Sequence, residues 1–138
     1  MESLPLSVRG KRASVVGKQP HRLNWVAASD YAKMVSKAFR LPEAANKRFF
    51  IYGPEALTMP EALLKYCSVV DPEIKVSSIP IWFLSLMGKV SFNAELQFIV
   101  ELMKYFEKTS DGGDPTEANT LLGAPTTTLE QWCKKMSI

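Results

Sequence analysis

The chain has 138 residues, of which 46% are hydrophobic and 22% charged, the balance of a globular protein that buries a core. This composition excludes a disordered or fibrous chain. The net charge of +3 is uneven, since residues 1–48 carry ten Lys/Arg against three Asp/Glu and residues 49–138 carry seven against eleven. The basic segment could face an anionic partner, form a solvated face, or pack on an acidic piece of chain that is missing.

Cysteine usage and hydropathy bear on the compartment. Cys67 and Cys133 are far apart and belong to no CxxC or Cys/His cluster, so we predict reduced thiols, no metal site and a cytoplasmic protein. The most apolar stretch, residues 79–90, is interrupted by a proline, a serine and a glycine and is shorter than the ~20 residues of a membrane span. The N-terminus has an early acid and too short an apolar run for a signal peptide. We therefore expect no membrane association.

Two strands and a helix are predicted first. Residues 11–18 and 21–28 have the β-branched content or alternation of short strands. A helix follows, with Ser29 or Asp30 as its N-cap, and Pro42 ends it.

The middle of the chain predicts a strand, a helix and a strand. Residues 48–53, RFFIYG, are strongly β-prone. Thr58 and Glu61 form a T-x-x-E capping box for a helix at about 59–69. Residues 74–80 suit another short strand.

The last third is predicted to be helical. Residues 92–108 carry a wide apolar stripe opposite polar positions, which indicates a long amphipathic helix. A short helix is expected to open near Asp114 and to stop at Gly123. Thr127 and Glu130 form a second T-x-x-E pattern before the terminal helix.

Most catalytic patterns are absent from this sequence. It contains no GxGxxG or GxxxxGK[ST] loop to hold phosphates. No tyrosine is followed by a lysine four places on, since Val35 stands where Tyr31 would need one. His21, the only histidine, is either a surface loop residue or a catalytic group without a visible partner.

Several aromatic residues have two interpretations. The structural interpretation places them in the core. The functional one makes Trp25, Trp82 and Phe83 the wall of an apolar substrate pocket, because Trp82 and Phe83 lie in a stretch too apolar for a surface.

Two stretches carry a resemblance to a known family. LNWVAASDYAKMVSKAF (residues 23–39), followed by KRFFIYGPEALTMPEALLKYC (residues 47–67), resembles the extended and atypical short-chain dehydrogenase/reductase superfamily. The nearest branch is that of the NmrA-like, NAD(P)-binding sugar-epimerase-like proteins. The matched features are a strand, an x-x-Asp-x-Ala turn, a strand ending Gly-x-Glu and a Leu-Thr-x-x-Glu helix. The match is good over residues 1–80 and loose beyond.

This resemblance implies an α/β fold with a partial Rossmann-type, largely parallel sheet. Residues 1–80 would be the C-terminal strands and helices of the NAD(P)-binding fold, and residues 81–138 a small helical substrate-side subdomain. The resemblance implies NAD(P) as cofactor and a small-molecule substrate, but the family's glycine-rich motif and Tyr/Lys pair are missing here. No catalytic or cofactor-binding residue is carried over. Asp30 and Ala32 alone match, with the structural role of fixing the turn beside the cleft.

Two functional classes follow. The first is a fragment: the C-terminal, substrate-side portion of an NAD(P)-dependent oxidoreductase or epimerase-like protein, inactive by itself. The second is a non-catalytic NmrA-like regulatory or interaction module, which could form a homodimer through an exposed sheet edge. Nucleic-acid binding is disfavoured, because the aromatic residues are not interleaved with Lys/Arg as a single-strand platform requires.

Overall fold

A computed structural model describes residues 1–136, so the predicted second subdomain extends slightly past the described range. After a turn of 3-10 helix at Leu4–Ser7, five short strands and six helices follow within those residues. The strands are β1 (Val8–Arg9), β2 (Arg12–Val16), β3 (Leu23–Trp25), β4 (Glu55–Leu57) and β5 (Lys75–Ile79). The helices are α1 (Ala28–Ala38), α2 (Met59–Val70), α3 (Ile81–Val90), α4 (Ala94–Phe106), α5 (Thr116–Leu122) and α6 (Leu129–Met136).

The strands form two small sheets, and the predicted α/β class is confirmed. β1 and β2 make a tight hairpin through Gly10, whose φ of 58° suits glycine, and such a short turn forces an antiparallel pair. β2 also pairs with β5 in parallel, with Ala13 opposite Val76. β3 and β4 form a separate antiparallel pair. The expectation of a largely parallel sheet therefore holds for the β2–β5 pair and is wrong for the other two.

The main core lies where the first sheet meets α2 and α6. Leu4, Leu63, Leu129 and Cys133 are fully buried there, and Trp25 closes one side. A side chain of leucine size contributes about 1.5–3 kcal/mol when it is fully buried. This cluster is therefore the main stabilising element for the framework that carries β2 and β3. A smaller second cluster joins α1 to α5 through Met34, Ala118 and Leu122.

The capping box predicted for Thr58 and Glu61 is confirmed. Thr58 Oγ1 accepts from the Glu61 N–H at 3.3 Å, and Glu61 Oε2 accepts from the Thr58 N–H at 2.8 Å. These two bonds form the predicted capping box at the start of α2. The predicted strand near 74–80 and the long helix near 92–108 also form, as β5 and α4.

The strand predicted at residues 48–53 is not formed. The segment keeps an extended alternation, since Phe49 and Ile51 pack on the second core while Phe50 contacts Gly113 on the other side. Within residues 1–136, no backbone hydrogen bond is donated by the N–H groups of residues 48–52. A strand needs a neighbour, and this β-prone segment has none in the part of the chain that the structure describes.

Two capping predictions are wrong, and one contact explains both. The N-cap position of α1 is Ala27, which makes no side-chain cap, so neither Ser29 nor Asp30 caps that helix. At α6 the reciprocal pair is Thr128 with Gln131, one residue beyond the predicted Thr127 and Glu130. The shift arises because the Thr127 N–H already donates to Asp30 Oδ2.

The apolar stretch after β5 folds as α3 and stays largely at the surface. Trp82 is 68% exposed and Phe83 44%, so the expectation that these two rings fill the core is wrong. α3 packs antiparallel on α4, and Gly88 is buried against Gln97 at their crossing. No helix within residues 1–136 is both long and apolar enough to cross a membrane.

Candidate functional site

An apolar cavity of about 510 Å³ lies between β2, β3 and α4. Its volume falls within the range of small-molecule pockets. Most of its lining side chains are apolar, and its polar ones are three serines and a glutamine. The lining residues are Ser3, Ser7, Ser14, Val15, Val16, Gln19, Leu23, Trp25, Met59, Ile99, Leu102, Met103 and Phe106.

One wall of the cavity is a face of α4. Ile99, Leu102, Met103 and Phe106 stand at positions i, i+3, i+4 and i+7, so they share one side of the helix. In the sequence this stripe predicts a helix that faces a core. In the structure all four side chains remain at least partly exposed, because they border a cavity instead of a filled interior.

The opposite wall is held in place by Trp25. Its ring is almost fully buried, and Nε1 donates to the Leu57 carbonyl oxygen at 2.9 Å, which ties β3 to the last residue of β4. The chain at Gly53 passes so close that a Cβ there would lie 1.5 Å from the Trp25 carbonyl oxygen. Trp25 is therefore fixed by its own hydrogen bond and by a close backbone contact.

Gln19 closes the end of the cavity. It is 6% exposed and its backbone has a φ of 44°, a conformation uncommon for a residue other than glycine. Its Nε2 donates to the Val16 carbonyl at 2.9 Å and to the Met103 carbonyl at 3.1 Å. The side chain thus joins the end of β2 to the last turn of α4. No sequence signal pointed to it, since a positive φ and two distant carbonyl partners leave no local pattern.

The three predicted pocket residues fall in different places. Trp25 lines the cavity. Trp82 borders a separate surface depression of about 430 Å³ together with Gly17, Lys18 and Glu107. Phe83 stacks edge-on against Trp82, with ring centroids 5.9 Å apart. The structure therefore brings Trp82 and Phe83 together and separates both from Trp25. Their contact with a substrate stays a prediction.

Asp30 makes a long-range contact near the start of α1. It is 4% exposed, and its Oδ2 accepts from the N–H groups of Thr126 and Thr127 at 2.9 and 2.8 Å. Lys33 Nζ lies 3.2 Å from Oδ1. Burial by itself would raise the pKa of Asp30, but the bonds from Thr127, Thr126 and Lys33 outweigh it and lower that pKa to about 2. Asp30 is therefore ionised at neutral pH, and its carboxylate anchors the entry to α6.

Ala32 lies elsewhere on α1. It is exposed on the outer face of the helix, in a shallow basic depression with Lys33, Lys37 and Arg40. Neither Ala32 nor Asp30 lines the apolar cavity. Their predicted role at a turn beside the cleft stays a prediction.

Groups suited to metal or nucleophilic chemistry are not assembled near this cavity. Within residues 1–136, no cluster of three or more His, Cys, Asp or Glu side chains could hold a metal ion. Cys67 and Cys133 are buried in the core between α2 and α6, and burial raises the pKa of both thiols. His21 is not among the residues that line the cavity. The site as built can bind and orient an apolar molecule.

The fold is similar to that of two solved reductases. No protein-family model matches the sequence, and no curated protein matches it significantly. An NADPH-dependent quinone oxidoreductase from Escherichia coli superposes with a TM-score of 0.68 at 14% identity, over 98% of this chain and 50% of that one. The Citrobacter sp. triphenylmethane reductase complexed with NADP(H) gives 0.64 at 12% identity, over 99% and 46%. A second structure of that enzyme gives 0.65.

These superpositions define the class of fold. The chain has an α/β fold that is similar to about half of each of these reductases, in line with the α/β fold that the sequence resemblance implied. It spans about half the length of each of these reductases.

Proposed function

We propose that this chain is the C-terminal, substrate-side portion of an NmrA-like NAD(P)-dependent oxidoreductase or epimerase-like protein. The observation that carries the proposal is the apolar cavity between β2 and α4 in a fold shared with half of two reductases. Residues 1–80 would complete the nucleotide-binding fold, and residues 81–138 would cover the substrate. A cytoplasmic location belongs to the same proposal.

The residues present do not fit a dinucleotide. The sequence has no glycine-rich turn whose backbone N–H groups could hold a pyrophosphate. The basic depression on α1 lies on an exposed helix face and offers a phosphate the side chains of Lys33, Lys37 and Arg40 and of two serines, without a glycine-rich turn. The proposal therefore assigns cofactor binding to another part of the protein, and no cofactor contact to these residues.

The role assigned to this chain is binding and orienting the substrate. Trp25 and Phe106 supply aromatic surface in the cavity, and its other apolar side chains exclude water. The two similar reductases are named for their action on quinones, which are conjugated ring diones, and on triphenylmethane dyes, which carry aromatic rings. A flat, uncharged aromatic substrate is the class that this lining suits.

The test has two parts. Calorimetry of the 138-residue chain with NADPH should detect no micromolar binding. Sequencing of the transcript upstream of the Met1 codon should find an in-frame strand, glycine-rich turn and helix. Micromolar NADPH binding by this chain, or an upstream stop codon in every transcript, would contradict the proposal.

A second candidate is a non-catalytic NmrA-like regulatory or interaction module. The α3–α4 hairpin favours it, because Trp82, Val90, Phe92 and Phe98 are each at least two-thirds exposed. The unpaired extended segment at residues 48–52 is a second surface open to another chain. Light scattering separates the two candidates. A stable dimer that forms at micromolar concentration without nucleotide would favour the module, and a monomer at high concentration would count against it.

A further inference from the structure

We infer that the cavity between β2 and α4 selects an uncharged aromatic ligand that carries one O–H or N–H donor, and that Gln19 Oε1 accepts that hydrogen bond. The inference rests on the proposed function for the location of the site. It adds the polar group that the site recognises and the residue that recognises it.

The orientation of the Gln19 amide follows from its partners. Gln19 Nε2 lies within hydrogen-bond distance of the backbone carbonyl oxygens of Val16 and Met103, and 3.9 Å from the Met103 sulfur, which also can only accept. A carbonyl oxygen cannot donate, so the NH₂ end must face them and the oxygen end must point away. Both amide hydrogens are thereby used, and the amide is held in one orientation.

Gln19 Oε1 is left as an acceptor without a partner. None of the hydrogen bonds formed within residues 1–136 reaches this oxygen, although Gln19 is 94% buried. It is not sealed inside the protein either, since Asn119 Oδ1 is the fully enclosed side-chain oxygen that lacks a partner there. Gln19 lines the cavity, and we infer that a ligand reaches Oε1 from the cavity side. A nearly buried acceptor gains most when a ligand brings its own donor.

The other lining groups make this acceptor selective. No lining residue carries a charge, so an ionised ligand would lose its hydration without compensation. The hydroxyl groups of Ser7 and Ser14 can either donate or accept, and they do not distinguish a donor from an acceptor. Gln19 Oε1 can only accept. The cavity therefore discriminates for a donor at one point and for apolar aromatic surface elsewhere.

The conformation of Gln19 supports a binding role. Its φ of 44° is costly for a side-chain-bearing residue, and such outliers cluster at ligand sites. Here the two Nε2 bonds hold the residue in place before any ligand arrives. An acceptor fixed in advance loses little conformational freedom on binding.

The test compares indole with 1-methylindole as probes of the 138-residue chain. The two differ by the N–H donor, and the extra methyl group alone would strengthen binding to an apolar cavity. We expect indole to bind about fivefold more tightly, the opposite order to hydrophobicity, because a single neutral hydrogen bond is worth about that factor. Dissociation constants come from NMR titration, with shifts expected at Trp25 and along α4. Equal affinities, a preference for 1-methylindole, or no binding of either probe up to millimolar concentration would overturn the inference.

Substitutions assign the effect to Gln19. Gln19→Met removes the acceptor and should reverse the preference, while Leu102→Ala, in the same cavity, should weaken both probes alike and leave their ratio unchanged. If Gln19→Met does not fold, Gln19→Asn serves in its place. It keeps the amide group but shortens the side chain by one methylene, so the oxygen no longer reaches the ligand and the preference for indole should disappear. An indole preference that survives these Gln19 changes but disappears in Ser14→Ala would overturn the assignment.

Neither measurement uses NAD(P)H, so the outcome is separate from the proposed function. Donor selectivity in a chain whose transcripts contain no upstream glycine-rich segment would leave the binding site valid and the reductase assignment wrong. An upstream nucleotide-binding segment combined with no donor selectivity would give the reverse result.

Discussion

Asp30, near the start of α1, accepts the backbone N–H of Thr127 at 2.8 Å, although 97 residues separate the two in the chain. The same carboxylate oxygen accepts from Thr126 N–H at 2.9 Å. The contact ties the first long helix to the turn that opens the last one, and it closes the fold around the main core.

Loss of this carboxylate should destabilise the protein. We expect Asp30→Ala to lower the free energy of unfolding by roughly 2–3 kcal/mol, because two backbone N–H groups in a partly buried turn lose a charged acceptor. Urea unfolding followed by circular dichroism measures the change. Ser36→Ala, at an exposed position of the same helix, serves as the control and should change the free energy by less than about 0.5 kcal/mol. Similar values for the two variants would show that the Asp30 contact contributes nothing.

The Asp30 contact should also make stability depend on acidic pH. The pKa of Asp30 is lowered from 3.8 to about 2 in the folded protein, so the unfolded chain binds the proton first. Its stabilisation is therefore complete above pH 3.8 and is lost as the pH falls toward 2, a change of about 2 kcal/mol. The difference in unfolding free energy between the wild type and Asp30→Asn should shrink between pH 5 and pH 2.5. A constant difference over that range would contradict the assignment.

Gly53 should tolerate no side chain. An added Cβ would lie 1.5 Å from the Trp25 carbonyl oxygen. The neighbouring atoms belong to the backbone of Trp25 and Val26, so they cannot move away without displacing β3. We expect Gly53→Ala to cost more than about 3 kcal/mol, or to prevent folding. Gly112→Ala is the matched control, since nothing lies within 4 Å of its Cβ position. Thermal unfolding of both variants gives the comparison, and equal midpoints would contradict the close approach.

The extended segment at residues 48–52 should exchange its amide hydrogens quickly. Its N–H groups donate no backbone hydrogen bond within residues 1–136, whereas those at Leu63 and Cys67 lie within α2. Hydrogen–deuterium exchange by mass spectrometry should show the segment deuterated within seconds while α2 stays protected. Protection of the segment that grows with protein concentration would instead show that it pairs with a second copy of the chain.

The exposed hairpin should drive association if the interaction-module interpretation is correct. Phe98 on α4 and Val90 on α3 are 67% and 72% exposed. Phe98→Glu should then raise the dimer dissociation constant by at least about tenfold, as expected for an apolar residue at an interface centre. Glu95→Gln, an exposed change on the same helix, should leave it unchanged. Sedimentation velocity gives both constants, and an effect of equal size in the two variants would exclude a specific apolar interface.

The features that could be predicted from the sequence are those that depend on neighbouring residues. The capping box of Thr58 and Glu61, the helix that follows it and the amphipathic stripe of α4 depend on residues three or four positions apart. Such interactions are complete within one turn of helix, so a short window of sequence contains all the groups involved. The family resemblance rests on the same short-range patterns, and the fold comparison agrees with the α/β fold that it implies.

The features that need a distant partner could not be predicted from the sequence. Aspartate is a residue type that commonly caps helices. Asp30 instead accepts hydrogen bonds from two backbone N–H groups in a turn 96 and 97 residues away. Residues 48–53 have strong β propensity, yet a strand forms only where another backbone lies alongside. The surface position of Trp82 and the two carbonyl partners of Gln19 depend likewise on where β2, α3 and α4 meet. Burial and pairing are properties of two segments together, which is why the cavity and its acceptor emerged only from the folded chain.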